Sequence, residues 1–205
     1  MIEINPLEFS LKKIVRDALY EDLGHQGDIT SNSVIEKNLQ QSFVLKSRAD
    51  GVISGIQVAE LSFKILDSSL NFKKNLNDGS IVKKEDIIAT INGSASSILS
   101  AERTSLNFLS HLSGIASATS EMVNLISETN TKIVSTRKTT PNLRILEKFA
   151  VKDGGGMNHR FGLYDGILIK DNHIALSGSI ANSVSLAREK CGHMVNIEVE
   201  VDNLD

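Results

Sequence analysis

Three strand-like runs decide the fold of this 205-residue chain: KIVS at residues 132–135, GILI at 166–169 and VNIEVEV at 195–201. Each run has the length and side chains of a strand. The interval after the first run contains a predicted helix at 142–152, preceded by Pro141, and the interval after the second contains one at 179–190. Strands that alternate with helices at about 30-residue spacing predict parallel strand–helix–strand units.

The first half of the chain has a different pattern. Residues 7–19 have the apolar spacing of a helix. Between residues 42 and 93, short strand-like runs are separated by Asp-Gly and Asn-Gly turns, which predicts a small sheet with one or two helices on it. Apolar side chains at steps of three or four then predict one long helix over residues 100–127.

Composition argues against several classes of protein. With 40% hydrophobic and 23% charged residues the chain is ordinarily globular. Its net charge of −3 and its 4% aromatic content disfavour a nucleic-acid-coating protein. Cys191 is the single cysteine, so the chain forms no internal disulfide and a reducing cytoplasm is expected. Residues 1–6 lack a signal-peptide pattern, and no run of 18 apolar residues predicts a membrane span.

Charged residues follow each predicted strand. TRKTT at 136–140 follows the first strand, KDNH at 170–173 follows the second, and the third carries Glu198, Glu200 and Asp202. In a parallel α/β barrel the carboxyl ends of the strands form the face that holds the active site, so we expect these groups on one rim. Glu198 and Glu200 are two positions apart on a strand, so both are expected to face one side, the interior.

The segment from residue 131 to 174 has eight basic and four acidic residues, a charge of +4 in a chain of −3. This excess predicts a site for a small anion, because guanidinium groups pair bidentately with carboxylate and phosphate. A triple glycine at 154–156 permits close backbone approach or positive φ. Taken singly, each feature has another interpretation: a solvated loop for Arg137 and Lys138, a flexible loop for the glycines, a structural role for His159, and a lysine extended to water for Lys170.

Several long motifs occur in an order typical of one family. They are residues 21–22 with 27–30, 102–107 with 112–116, 135–144, 146–151, 154–160, 168–173 and 198–202. Together they resemble the quinolinate phosphoribosyltransferase, or carboxylating nicotinate-nucleotide pyrophosphorylase, family from about residue 5 onward. The resemblance implies an α/β fold, with an N-terminal α/β sandwich domain at 1–111 and an open parallel α/β barrel at 112–205. The family's last barrel strands, second acidic residue and glycine-rich 5′-phosphate loops would lie beyond Asp205, so the barrel is expected to be truncated.

The resemblance also implies a reaction: phosphoribosyl pyrophosphate and quinolinate give nicotinate mononucleotide, pyrophosphate and CO2, in NAD biosynthesis. It places four side chains around the quinolinate carboxylates: Arg137, His159, Arg160 and Lys170. Arg103 would come from the partner subunit of a homodimer or a multiple of it. Lys138 and Glu200 would bind phosphoribosyl pyrophosphate, with Thr136 at the base of the pocket and substrate-bound Mg²⁺ near Glu200 through water. The expected catalytic residues are Lys138, Lys170 and Glu200.

Two alternatives stay open. A molybdate-transport-associated relative of this family shares the Arg-Lys and His-Arg motifs but is expected to be less faithful around residues 170–173. A non-catalytic binding protein is the second alternative, mainly because a chain without the last barrel strands would keep only the sandwich domain and a dimer helix. Asp-Gly at 50–51 and 78–79 also gives the N-terminal domain a mildly biotinyl-carrier-like rhythm. The chain lacks the Met-Lys-Met attachment sequence of such carriers, since methionine occurs only at positions 1, 122, 157 and 194.

Overall fold

The computed structural model describes residues 6–203, so the first five residues, on which the signal-peptide prediction depends, lie outside the described part of the chain. Its elements, in chain order, are α1 (Pro6–Leu23), α2 (Ile29–Val34), β1 (Gln40–Lys46), β2 (Gly51–Val52), α3 (Ile56–Leu66), β3 (Asn71–Lys74), β4 (Ile81–Val82), β5 (Ile87–Ser94), α4 (Ala95–Leu125), α5 (Arg144–Asp153), β6 (Ile167–Ile169), α6 (Asp171–Ser177), α7 (Ile180–Lys190) and β7 (Ile197–Val199). No helix among them is long and apolar enough to cross a membrane.

The chain divides into two compact units. The first contains the residues up to Ser135 together with Thr139–Asn158, and the second contains Thr136–Lys138 together with the residues from His159 onward. The domain boundary predicted between residues 111 and 112 falls inside α4. That boundary stays a prediction.

The first unit is built on a small antiparallel sheet of order β1-β5-β3. Ile91 of β5 lies opposite both Phe43 of β1 and Phe72 of β3, so the central strand is apolar where its two neighbours are aromatic. The buried faces of α3 and α4 cover the sheet with Phe63 and Ile98. This arrangement is the predicted small sheet with helices on it.

A second apolar cluster joins four helices of the first unit. Its buried members are Val15 and Leu19 of α1, Val58 of α3, Phe108 and Leu112 of α4, and Leu146 and Ala150 of α5. Helix α1 therefore packs by the face that the apolar spacing predicts, over residues 11–19, and α5 completes the same core. Burial of these side chains attaches α5 to α4 before the chain enters the triple glycine.

The triple glycine lies against α4. A Cβ atom on Gly154 would come within 2.3 Å of the Ala116 carbonyl oxygen, and one on Gly156 within 2.9 Å of Thr119 Cγ2. Gly155 has a φ of +88°, a conformation that favours glycine. The three glycines thus allow the chain to turn sharply after α5 while its backbone touches a neighbouring helix.

The second unit contains a parallel pair of strands. β6 pairs with β7 in the register Leu168 opposite Glu198, which confirms the predicted parallel strand–helix–strand unit across this part of the chain. Helix α7 begins after Ser179, whose side chain caps it by accepting the Asn182 N–H. Helix α6, directly after β6, was missed from the sequence because seven residues are too few for an apolar period to show.

Two predictions along the chain were wrong in detail. Residues 132–135 form no strand, since their pairing is limited to one parallel bridge between Val134 and Met157. The chain turns immediately afterwards, where Thr136 Oγ1 accepts the Lys138 N–H, and this ends the extended stretch. Helix α5 begins at Arg144 instead of residue 142, because Asn142 has a left-handed φ of 66° that no helix can contain.

Candidate functional site

The parallel register of the second unit brings Lys170 and Glu200 together. Each follows the end of its strand, and the Glu200 N–H donates to the Ile169 carbonyl at 2.8 Å, which extends the alignment one residue past β7. Lys170 Nζ donates to Glu200 Oε2 at 2.6 Å. Two residues predicted from the sequence to share one rim are therefore in direct contact.

His159 and Glu198 form a second pair on the same face of β7. His159 Nδ1 accepts the Arg160 backbone N–H at 2.8 Å, so this nitrogen carries no proton. The ring proton then lies on Nε2, which donates to Glu198 Oε2 at 2.8 Å. The ring of the histidine is consequently oriented with its Nε2–H donor directed at the carboxylate.

Glu198 and Glu200 occupy alternate, exposed positions of the chain, and their placement on the interior of a barrel stays a prediction. Their side chains are 62% and 56% exposed. Water and a basic partner stabilise each carboxylate, so neither carries the free-energy cost of a buried, unpaired charge.

The two arginines of the site have an unusual hydrogen-bonding state. Within the described part of the chain, only two buried side-chain nitrogen or oxygen atoms lack a hydrogen-bond partner, and these are Nε of Arg137 and Nε of Arg160. The Arg160 guanidinium is anchored through Nη1, which donates to the Gly166 carbonyl at 2.8 Å. Buried donors are nearly always paired, so each of these two guanidinium nitrogens is available to an acceptor from water or from a ligand.

A three-residue segment, Thr136–Lys138, belongs to the second unit, although the residues on both sides of it belong to the first. Thr136 Oγ1 accepts the Lys138 N–H at 3.0 Å, which folds the three residues into a tight turn. Arg137 is half-buried, whereas Thr136 and Lys138 are exposed. The turn thus separates a partly desolvated guanidinium from an ammonium group in water.

Arg103 is the predicted site residue that lies outside this unit. It is exposed on α4 in the first unit, where it lines a groove of about 900 Å³ together with Phe43 and Arg48. The second unit by itself therefore brings together seven of the eight predicted substrate-binding residues: Thr136, Arg137, Lys138, His159, Arg160, Lys170 and Glu200.

Sequence reasoning gave no role to two buried charged residues of α5, Glu147 and Lys148. Their side chains reach the ends of the segment that carries Arg137. Lys148 Nζ donates to Ser135 Oγ at 2.8 Å, and Glu147 Oε2 accepts the Thr140 N–H at 3.1 Å. A usable signal was present: two adjacent charges directly follow Leu146, a core position of the same helix.

The second unit is a parallel α/β unit that contains several cationic side chains and two unpaired guanidinium nitrogens, which is the chemistry of a site for a small anion. Comparison with known proteins identifies the family of the chain. The family models of quinolinate phosphoribosyl transferase match residues 28–113 with the N-terminal domain and residues 115–205 with the C-terminal domain. The chain belongs to the quinolinate phosphoribosyltransferase family.

Individual relatives agree with this assignment. The chain is 47% identical over 193 residues to the probable nicotinate-nucleotide pyrophosphorylase (carboxylating) of Bacillus subtilis, covering 94% of this chain and 66% of that protein. It is 38% identical over 194 residues to the chloroplastic enzyme of Arabidopsis thaliana, covering 95% of this chain and 55% of the relative. The chain thus spans between about half and two thirds of the length of these curated relatives.

Solved structures give the same result for the fold. The crystal structure of NadC from Streptococcus pyogenes matches with a TM-score of 0.91 and 40% identity, covering 95% of this chain and 70% of that chain. The nicotinate-nucleotide pyrophosphorylase from Francisella tularensis matches with a TM-score of 0.91 and 38% identity, covering 96% and 69%. The predicted two-domain α/β architecture of the family is thereby confirmed.

Proposed function

We propose that the protein transfers the phosphoribosyl group of phosphoribosyl pyrophosphate to quinolinate, with loss of CO2, to give nicotinate mononucleotide. The observation that carries this proposal is the pair of buried, unpaired guanidinium nitrogens on Arg137 and Arg160, in a unit whose family acts on a pyridine dicarboxylate. The ring nitrogen forms a bond to ribose C1 while the bond from C1 to pyrophosphate breaks. The 2-carboxylate then leaves as CO2 and ring carbon 2 takes up a proton.

The site residues divide into two groups in this reaction. Arg137 and Arg160 bind the two carboxylates through charge-assisted hydrogen bonds, supported by the Nε2–H of His159 and the ammonium group of Lys170. Glu200 stabilises the positive charge that develops on the ribose ring, and Lys138 stabilises the negative charge on the departing pyrophosphate. Thr136 shapes the turn that carries Arg137 and Lys138, through its bond to the Lys138 N–H.

The side chains of the second unit suit a metal ion that arrives with the substrate. Among residues 6–203 no group of three or more His, Cys, Asp or Glu side chains is arranged to hold a metal ion. Mg²⁺ commonly uses one or two carboxylates with waters and substrate phosphates, so Glu200 would hold it through water together with the pyrophosphate oxygens. A magnesium ion held there would supply positive charge next to the leaving group.

The reaction can be tested by incubating the full-length protein with phosphoribosyl pyrophosphate, Mg²⁺ and either quinolinate or nicotinate. We expect nicotinate mononucleotide and an equal amount of CO2 from quinolinate, and no product from nicotinate, because both arginines need a carboxylate. Chromatography of the nucleotide and release of labelled CO2 give the two readings. Turnover of nicotinate without turnover of quinolinate contradicts the proposal.

We also propose that the complete site is shared by two subunits of a symmetric dimer, with Arg103 supplied by the partner. Mixing full-length Arg103→Ala protein with full-length Arg137→Ala protein tests this. Each variant alone is expected to be nearly inactive. A mixed dimer has one site with both lesions and one intact site, so random exchange is expected to restore about a quarter of wild-type activity. Absence of recovery, once subunit exchange is demonstrated by differently tagged chains, contradicts a shared site.

A further inference from the structure

Two consecutive charged residues of α5 are buried in the first unit. Glu147 is 8% exposed and Lys148 is 1% exposed. Removing charges from water costs free energy that only good hydrogen bonds offset, so adjacent buried charges of opposite sign call for a specific use. Neither residue belongs to the cation-rich rim of the second unit, and the reaction proposed above assigns no step to them.

Lys148 belongs to a closed ring of hydrogen bonds with Ser135 and Asn158. Its Nζ donates to Ser135 Oγ at 2.8 Å, Ser135 Oγ donates to Asn158 Oδ1 at 3.0 Å, and Asn158 Nδ2 donates back to the Lys148 carbonyl at 3.1 Å. Ser135 immediately precedes the turn with Arg137, and Asn158 immediately precedes His159. The ring therefore holds together the two points from which the substrate-binding segments depart.

Backbone hydrogen bonds beside this ring also join the segment that contains Ser135 to the segment that contains Met157. The Ser135 N–H donates to the Met157 carbonyl at 2.9 Å, and the Met157 N–H donates to the Ile133 carbonyl at 2.8 Å. These two bonds set the separation of the chains but leave the Ser135 and Asn158 side chains free to take other rotamers. The bond from Lys148 favours one rotamer of Ser135, because the ammonium group donates to the hydroxyl oxygen in that rotamer.

Glu147 holds the other end of the turn. One carboxylate oxygen accepts the Thr140 N–H at 3.1 Å, and the other accepts Nε2–H of His111 from α4 at 2.9 Å. Burial acts to raise the pKa of Glu147, but the hydrogen bonds from Thr140 and His111 outweigh it and lower the pKa below its ordinary value. The ionised carboxylate thus connects Thr140 by hydrogen bonds to α5, which carries Glu147, and to α4, which carries His111.

We propose that Glu147 and Lys148 are positioning residues for substrate binding, which hold the two ends of residues 136–139 so that Arg137 is placed for a quinolinate carboxylate. Lys148 also places His159 and Arg160 through Ser135 and Asn158. This inference rests on the proposed function. It predicts that loosening either end lowers quinolinate affinity although the altered side chain never touches the ligand, because a guanidinium displaced by about an ångström loses its bidentate geometry.

The test compares Ser135→Ala with Ser62→Ala in the full-length protein. Ser62 is a matched control, since it is also in the first unit, is fully buried, and has one hydroxyl bond, to the Val58 carbonyl. Quinolinate binding is measured by calorimetry well below the melting temperature of every variant. We expect Ser135→Ala to weaken binding about tenfold and Ser62→Ala to leave it within twofold, with both variants folded at the temperature of the titration.

Glu147 provides the second, independent arm. Glu147→Gln keeps an oxygen for the Thr140 N–H, whereas Glu147→Ala removes it, so quinolinate affinity is expected to fall several-fold further in the alanine variant than in the glutamine variant. Equal affinity of Ser135→Ala and Ser62→Ala overturns the positioning role, as does lost stability with unchanged affinity. Absence of quinolinate binding by the wild-type protein is a different result, because it overturns the proposed function itself.

Discussion

Replacing Arg137 by alanine is expected to weaken quinolinate binding about ten- to a hundredfold while the protein stays folded. The Nε atom of this arginine is buried and lacks a hydrogen-bond partner among the described residues, so its removal leaves no internal acceptor unsatisfied. A hydrogen bond to a charged group contributes roughly 1.5–3 kcal/mol, which corresponds to this loss of affinity. Calorimetric titration of the full-length protein with quinolinate measures it.

Two further variants make the Arg137 experiment specific. Arg137→Lys keeps the charge but loses the planar donor pair, so its affinity is expected to lie between wild type and alanine. Arg188→Ala removes an exposed arginine from the same unit, where Nη1 donates only to the Val195 carbonyl, and it is expected to bind quinolinate normally. A fall in melting temperature with intact quinolinate affinity in Arg137→Ala refutes the binding role.

Gly154→Ala is expected to lower the free energy of unfolding by about 3 kcal/mol, at the upper end of the range for overpacked sites. The backbone at Gly154, with φ −77° and ψ 3°, is open to any residue, so the effect is purely steric. The new methyl group would lie 2.3 Å from the Ala116 carbonyl oxygen and 2.7 Å from Thr119 Cβ, and the helix backbone of α4 cannot rotate away. Urea denaturation measures the change.

Gly192→Ala is the matched control for this glycine. Its added Cβ would meet nothing within 4 Å, and its φ lies outside the left-handed region. The expected change is within about 0.5 kcal/mol, as for most surface substitutions. If the two alanine variants have the same urea midpoint, the close approach of the triple glycine to α4 has no energetic importance.

Secondary structure was predictable from the sequence where the apolar periodicity extends over many residues. The prediction failed where tertiary contacts determine whether an element forms. Helix α7 and strand β6 were predicted within a residue because apolar spacing and a serine cap coincide. The long helix α4 begins five residues before its predicted start, since its cap, Ser94, ends a strand that continues directly into the helix. The failed strand at 132–135 is apolar enough, but a strand also needs a ladder of partners, which composition cannot show.

The chemical types at the site were predictable, but their pairings were not. A charge of +4 over residues 131–174 indicates an anion site without showing that Lys170 contacts Glu200 or that His159 contacts Glu198. Those pairs depend on the parallel register of β6 and β7. The burial of Lys148 was even harder to predict from the sequence, because lysine is among the residue types least often found inside a protein.

Helix α5 packs against residues of α4 that belong to the other family model, so the two matched segments share one core. The N-terminal family model ends at residue 113, in the middle of α4, yet the core around Phe108 and Leu112 is completed by Leu146 and Ala150. A recombination joint at that point would expose the apolar side of α4 to water, at about 25 cal/mol for each square ångström. The segment that the N-terminal family model matches and the segment that folds as the first compact unit are therefore different lengths of chain, and residues on both sides of that boundary stabilise the same core.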